Sequence, residues 1–232
     1  MCFSATYSAL ALLLGVAGQV VLYSRNVPLS RALAVGLSAL TAMQLFELVM
    51  WLHPCSGDHA NIVNQVVSRI AMITNISQPL SIAISLLWAQ RSHRLEMPWK
   101  LTMAAAAAYI PVTTWAIFTQ WSRVTCSAPN GIDITGEICT ETSCGLAWEW
   151  VDNTTNALWG PYHLLLHMAF ISLCKPLKPT ALLIMLYIVV SFYLSNAMHA
   201  AQRSVGSHWC FSAIVLPWLI AVLPLQKRSL RL

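Results

Sequence analysis

The stretch RALAVGLSALTAMQLFELVMWLH, residues 31–53, carries a single charged side chain, Glu47, between Arg31 at its start and His53 at its end. A bilayer's hydrocarbon core of ~30 Å needs about 20 apolar residues at 1.5 Å per residue in a helix. The stretch meets that length and reads as a membrane span. Six more runs of the same character lie at 8–24, 62–90, 101–122, 157–174, 180–200 and 208–225. They predict an all-α, polytopic bundle of seven transmembrane helices forming one domain over residues 1–232.

The loops fix the orientation. Arg25, Arg31, Arg91, Arg94, Lys100, Lys175, Lys178, Lys227, Arg228 and Arg231 fall on one side of the predicted bundle, ten of the thirteen basic residues. The opposite loops hold Arg123 and Arg203 with the acids Asp58, Asp133, Glu137, Glu141, Glu149 and Asp152. The positive-inside rule then puts the amino terminus outside or luminal and the carboxyl terminus in the cytoplasm, as an odd span count requires. The membrane is the plasma membrane or an endomembrane. Residues 1–8 lack the basic opening of a secretory signal, so the first apolar run is expected to stay as a span.

Hydrophobic residues make up 57% of the chain and charged ones 9%, against roughly a quarter charged in a soluble domain. The net charge of +5 therefore speaks for lipid headgroups as partners and not for nucleic acid. The longest stretch outside the predicted spans is the outer loop 123–156, which contains Cys126, Cys139 and Cys144. It also holds the glycosylation triplet Asn153-Thr154-Thr155, and Trp148, Trp150 and Trp159 gather near its return to lipid, where tryptophan belts form. Cys2, Cys55 and Cys210 lie on the same outer side, and only Cys174 is cytoplasmic. That bias predicts disulfides among Cys55, Cys126, Cys139 and Cys144 in an oxidising compartment. No CxxC pair marks a zinc site.

Ionisable groups within spans cost at least ~2.5–3.5 kcal/mol on insertion scales, so those present are expected to serve a function or find a partner. Glu47 shares a helical face with Gln44 and Trp51, at i−3 and i+4. Arg69 lies at similar depth in the third span, followed by Asn75, Gln78 and Pro79. His163 and His167 stand one turn apart in the fifth span, and Asn196 and His199 close the sixth. Counted from the span ends, most of these groups share the outer half of the bilayer, with His167 nearer the middle. One reading is a buried Glu47–Arg69 ion pair with structural histidines. A second is a metal site, zinc or copper on His163, His167 and Glu47 or Cys2 with an open position. A third is a relay for protons or ions through Glu47, Gln44, His167 and His199 with Arg69 as counter-charge.

The seventh span contains no lysine, which argues against a retinal Schiff base, and the chain has no GxSxG, phosphate-binding glycine loop or HExxH. His163 and His167 make an HxxxH that resembles the motif of seven-span hydrolases of the alkaline ceramidase and adiponectin-receptor type. No Asp lies in any span here, whereas those enzymes use one. Met1-Cys2-Phe3-Ser4-Ala5, with Gln44, Glu47 and Trp51 in the second span and Trp209-Cys210-Phe211 near the last, resembles a family of small multi-span proteins of unknown activity that begin with MCFSA. The resemblance runs end to end but is sparse, and it implies positions without chemistry. On it Cys2, Trp209 and Cys210 form an outer rim, closed by a Cys2–Cys210 disulfide or by a soft metal on Cys2.

The expected function is transport or channel activity for a small solute, proton or metal ion. The alternatives are a membrane-embedded, zinc-dependent hydrolase acting on a lipid-like substrate and a receptor-like or scaffold protein with purely structural polar groups.

Overall fold

The computed structural model describes residues 5–25, 27–54, 61–93, 99–121, 128–129, 146–147, 161–162, 164–169, 174–199 and 213–222. The helices are α1 (Ala5–Ser24), α2 (Pro28–Gly36), α3 (Ser38–Leu52), α4 (Ile62–His93) and α5 (Trp99–Gln120). After them come the helical residues 161–162 and 164–169 (α6), α7 (Cys174–His199) and α8 (Val215–Val222). The described chain is all-α but for a two-residue antiparallel ladder that pairs Ala128 with Ala147 and Pro129 with Leu146.

Four helices are long and apolar enough to cross a bilayer: α1, α2 with α3 as Pro28–Leu52, Ile62–Gln90 of α4 and Lys100–Gln120 of α5. A shorter apolar stretch, Leu182–Leu194, lies within α7. The loop expected between the fifth and sixth spans is instead the opening of α7, which begins at Cys174. Pro176 is no obstacle there, because the first turn of a helix leaves its N–H groups without internal acceptors.

Polar and small residues share the buried side of α4 with an otherwise apolar core. Along α4 the buried residues Asn64, Ser68, Ala71, Asn75, Gln78, Ile82, Ser85 and Ala89 recur at alternating steps of four and three, which is one helical face. The exposed residues of the same helix are Ile62, Val63, Val66, Ile70, Ile73, Ile84 and Trp88. Polar groups buried along one face, with an outer face made of large apolar groups, fit an integral membrane protein, whose outer face meets hydrocarbon.

α1 carries a matching stripe of Ser8, Ala11, Gly15, Gly18 and Leu22, all buried. It packs on α3, α2 and α8. Small residues allow close approach, which in a bilayer replaces the hydrophobic drive for helix association. A Cβ on Gly15 would meet Thr41 Oγ1 at 2.7 Å, and one on Gly18 would meet Pro217 Cβ and Trp218 Nε1 at 2.9 Å. Trp218 donates from Nε1 to the Leu14 carbonyl at 3.0 Å. Arg25, in the tight turn after α1, donates to the carbonyls of Ile220 (3.1 Å) and Ala221 (2.7 Å). A cation there satisfies helix-end acceptors and complements the negative end of the α8 dipole.

The second span is not one unbroken helix. It tightens at Gly36–Leu37, and the Leu37 carbonyl accepts a hydrogen bond from Gln19 Nε2 of α1 at 3.1 Å. The same amide donates to Thr41 Oγ1 at 2.6 Å. One glutamine therefore stitches both sides of the break to α1, leaving less of the backbone to be satisfied by lipid, which offers no partners.

Candidate functional site

α3 and α4 run antiparallel, and their register is fixed at both ends. Near the α4 N-terminus, Asn64 Nδ2 donates to the carbonyls of Met50 (3.3 Å) and His53 (3.0 Å), finishing α3. Ser68 donates to Asn64 Oδ1 at 3.0 Å, so the two act as one network. Toward the other end Gly36 lies against Ile82 and Ser85. Between these anchors Glu47, wholly buried at 0% exposure, stands level with the turn of α4 that follows Ser68. Gln44, also at 0%, lies one turn away on the same face of α3.

α1 reaches the same level. Thr41 is gripped by Gln19 and faces Gly15. Two turns further along each antiparallel helix, Ser8 of α1 comes level with Glu47. The Ser8 hydroxyl and the Trp51 indole N–H, the latter one turn on from Glu47, are buried and make no hydrogen bond among the described residues. Buried polar groups are rarely left so. The two groups lie in the same part of the bundle as the buried Glu47.

The seam continues along the α4 stripe. Pro79 has no N–H, which removes a helical partner from the Asn75 carbonyl one turn earlier. Two tyrosines reinforce this turn: Tyr109 of α5 donates to the Ile76 carbonyl at 2.6 Å, and Tyr162 of α6 donates to Gln78 Oε1 at 2.6 Å. From Asn64 to Gln78 the polar face rises through fourteen residue steps, ~21 Å at 1.5 Å per residue.

Two expectations about the site change. Arg69 does not serve as the partner of Glu47. It lies one residue on from Ser68, about 100° round the helix, on the side that meets α5, and its guanidinium carbon sits 5.4 Å from the centre of the Trp121 ring. Among the described residues it forms no hydrogen bond or ion pair with Glu47. His167 is half-buried and does not share the Glu47 layer. Tyr162 is level with Gln78, and Thr102, near the start of α5, donates to the Met168 carbonyl at 3.5 Å. His167 is thus displaced toward the α4 C-terminus by about thirteen residues, ~20 Å. Counting depth from span ends fails here because α6 is seated further along the bundle than its apolar run implies.

Of the zinc or copper trio His163, His167 and Glu47, the described members His167 and Glu47 lie at different levels of the bundle. Among the described residues no three His, Cys, Asp or Glu side chains gather as a metal site. Cys2, Cys55, Cys126, Cys139, Cys144, His163, Trp209 and Cys210 lie outside the described residues, and so does the side chain of His199, whose backbone ends α7. Comparison of the chain with family models, curated proteins and solved structures finds no match.

Asn64, Ser68, Ser85, Tyr109 and Tyr162 were not among the sequence candidates. The signal that could have found the first three is the alternating four-and-three spacing of polar and small residues through 64–89. Average hydropathy conceals it.

Proposed function

We propose that this chain is a seven-span membrane protein, amino terminus outside and carboxyl terminus cytoplasmic, that moves a small solute, proton or metal ion along the seam between α3 and α4. The observation that carries this reading is the complete burial of Glu47 beside a stripe of polar side chains running along the bundle. Ser8 and Trp51 supply open hydrogen-bonding positions at its level. Asn75, Gln78 and the Tyr162 hydroxyl extend the seam inward, and His167 stands beyond them as a second titratable group near the cytoplasmic side. A carboxylate toward one face and an imidazole toward the other, joined by hydrogen-bonding groups, is the arrangement a proton relay needs. The hydrolase reading, with zinc on His163, His167 and Glu47 or Cys2, draws less support, because His167 and Glu47 lie at different levels along the bundle.

The middle of the path is tested at Tyr162. Tyr162→Phe removes the donor to Gln78 Oε1, the loss of one buried hydrogen bond, worth about 0.5–1.5 kcal/mol. Proton flux into liposomes containing the purified protein, read with an enclosed pH dye, should fall several-fold. Flux equal to that of the unaltered protein would remove the seam from the path. Zinc or copper at one ion per chain in the purified protein would redirect the reading to a metal-dependent activity.

Orientation has its own check in intact cells. An impermeant thiol reagent should label Asn153→Cys and leave a cysteine placed at Leu232 untouched. Labelling at position 232 would mean that the span count or the orientation is wrong.

A further inference from the structure

We infer that Arg69, Gln120 and Trp121 form a binding site for a small planar oxyanion that retains one O–H group, of which hydrogencarbonate is the simplest. On α5 the buried residues Thr102, Ala106, Tyr109, Thr113, Ala116 and Gln120 form one stripe, and the bond from Tyr109 to Ile76 shows that this stripe faces α4. Gln120 ends it, 4% exposed, with Oε1 buried and accepting no hydrogen bond. The next residue, Trp121, holds the Arg69 guanidinium 5.4 Å from its ring. Arg69 points there because a helical side chain leans toward the helix N-terminus, which carries the guanidinium from its own level to that of the α5 C-terminal end.

Each group is engaged in a way that leaves ligand-binding capacity unused. A cation over a ring is attracted through its face, which leaves the in-plane N–H edge of the guanidinium available. Its Nε is buried without a hydrogen bond, and among the described residues the guanidinium has no ion pair. A positive charge in this position calls for an anion, and the fixed fork of the guanidinium matches two oxygens of a planar oxyanion. The Gln120 Oε1 can only accept, so a fully deprotonated anion would face it lone pair to lone pair. An oxyanion carrying one O–H satisfies both partners at once. Under the orientation proposed above, the site opens to the outer side; the binding itself does not depend on that orientation.

Hydrogencarbonate and nitrate make the comparison, since both are planar monoanions with three oxygens and only the first has a hydrogen to donate. With the full chain in lipid nanodiscs at mildly alkaline pH, titration calorimetry should give hydrogencarbonate at least tenfold tighter binding than nitrate. Gln120→Leu should erase that preference, and Arg69→Gln should abolish binding of both anions. Should Arg69→Gln fail to fold, Arg69→Lys tests the same point, because a point charge without the fork should lose at least tenfold in affinity. Glu47→Gln should leave the titration unchanged, which separates failure of this site from failure of the transport reading. Equal affinity for the two anions would mean that Gln120 turns its amide N–H toward them and would overturn the assignment. Absence of binding by either anion would overturn it as well.

Discussion

Glu47→Gln should lower flux through liposomes containing the protein at least tenfold while the protein still folds and shows a cooperative thermal unfolding. The substitution keeps the volume and hydrogen-bonding shape of a side chain that is wholly buried, so the packing of α3 against α4 and α1 has no reason to change. What it removes is the group that can exchange a proton or attract a cation. A carboxylate within a span is retained against an insertion cost of at least ~2.5–3.5 kcal/mol, and an amide carries less of that cost. Glu47→Asp should keep part of the flux, because the charge remains although the reach shortens. A Glu47→Gln protein that transports normally would leave the seam without its principal group and end the proposal.

The geometry also sets the sign of a double-variant test. Arg69 faces Trp121 on α5, and among the described residues it makes no ion pair with Glu47. The stability effects of Glu47→Gln and Arg69→Met should therefore add within about 0.3–0.5 kcal/mol, as for sites without a shared partner. A double variant markedly more stable than the sum of the two would reveal a charge pair.

Apolar length made the helices legible, because the bilayer imposes it directly. The span expected at 62–90 is α4, the span at 101–122 is α5, and the burial of Glu47 and Gln44 follows from their place in the second span. Depth was harder to read. The level of His167 is decided by which turn of α6 meets Gln78, and nothing in the apolar run 157–174 encodes that contact. The neighbour of Arg69 is hard to read for a related reason: sequence distance gives depth along a helix, but its neighbour is set by which partner helix occupies each side. Small residues in a span are easily taken for filler. In α1 the spacing of Ser8, Ala11, Gly15 and Gly18 is the interface itself.

Gly36 offers the strongest test of that last point, and Gly36→Ala should destabilise the protein by about 1–3 kcal/mol, the usual cost of overpacking, with Gly36→Leu worse. The backbone at this position is helical, so glycine is not required for its conformational freedom. An alanine in an unobstructed helix would in fact stabilise it by about 1 kcal/mol. Here the added Cβ would lie 2.9 Å from the Ile82 Cα and closer still to the Ser85 hydroxyl. A hydroxyl can rotate away, but a Cα in the middle of α4 moves only with the helix, which also carries Asn75 and Gln78. Ser85→Ala combined with Gly36→Ala should therefore restore only part of the loss in thermal unfolding. Full restoration would show that the hydroxyl alone set the distance between α2 and α4, while a neutral or stabilising Gly36→Ala would show that the two helices do not meet at this closeness.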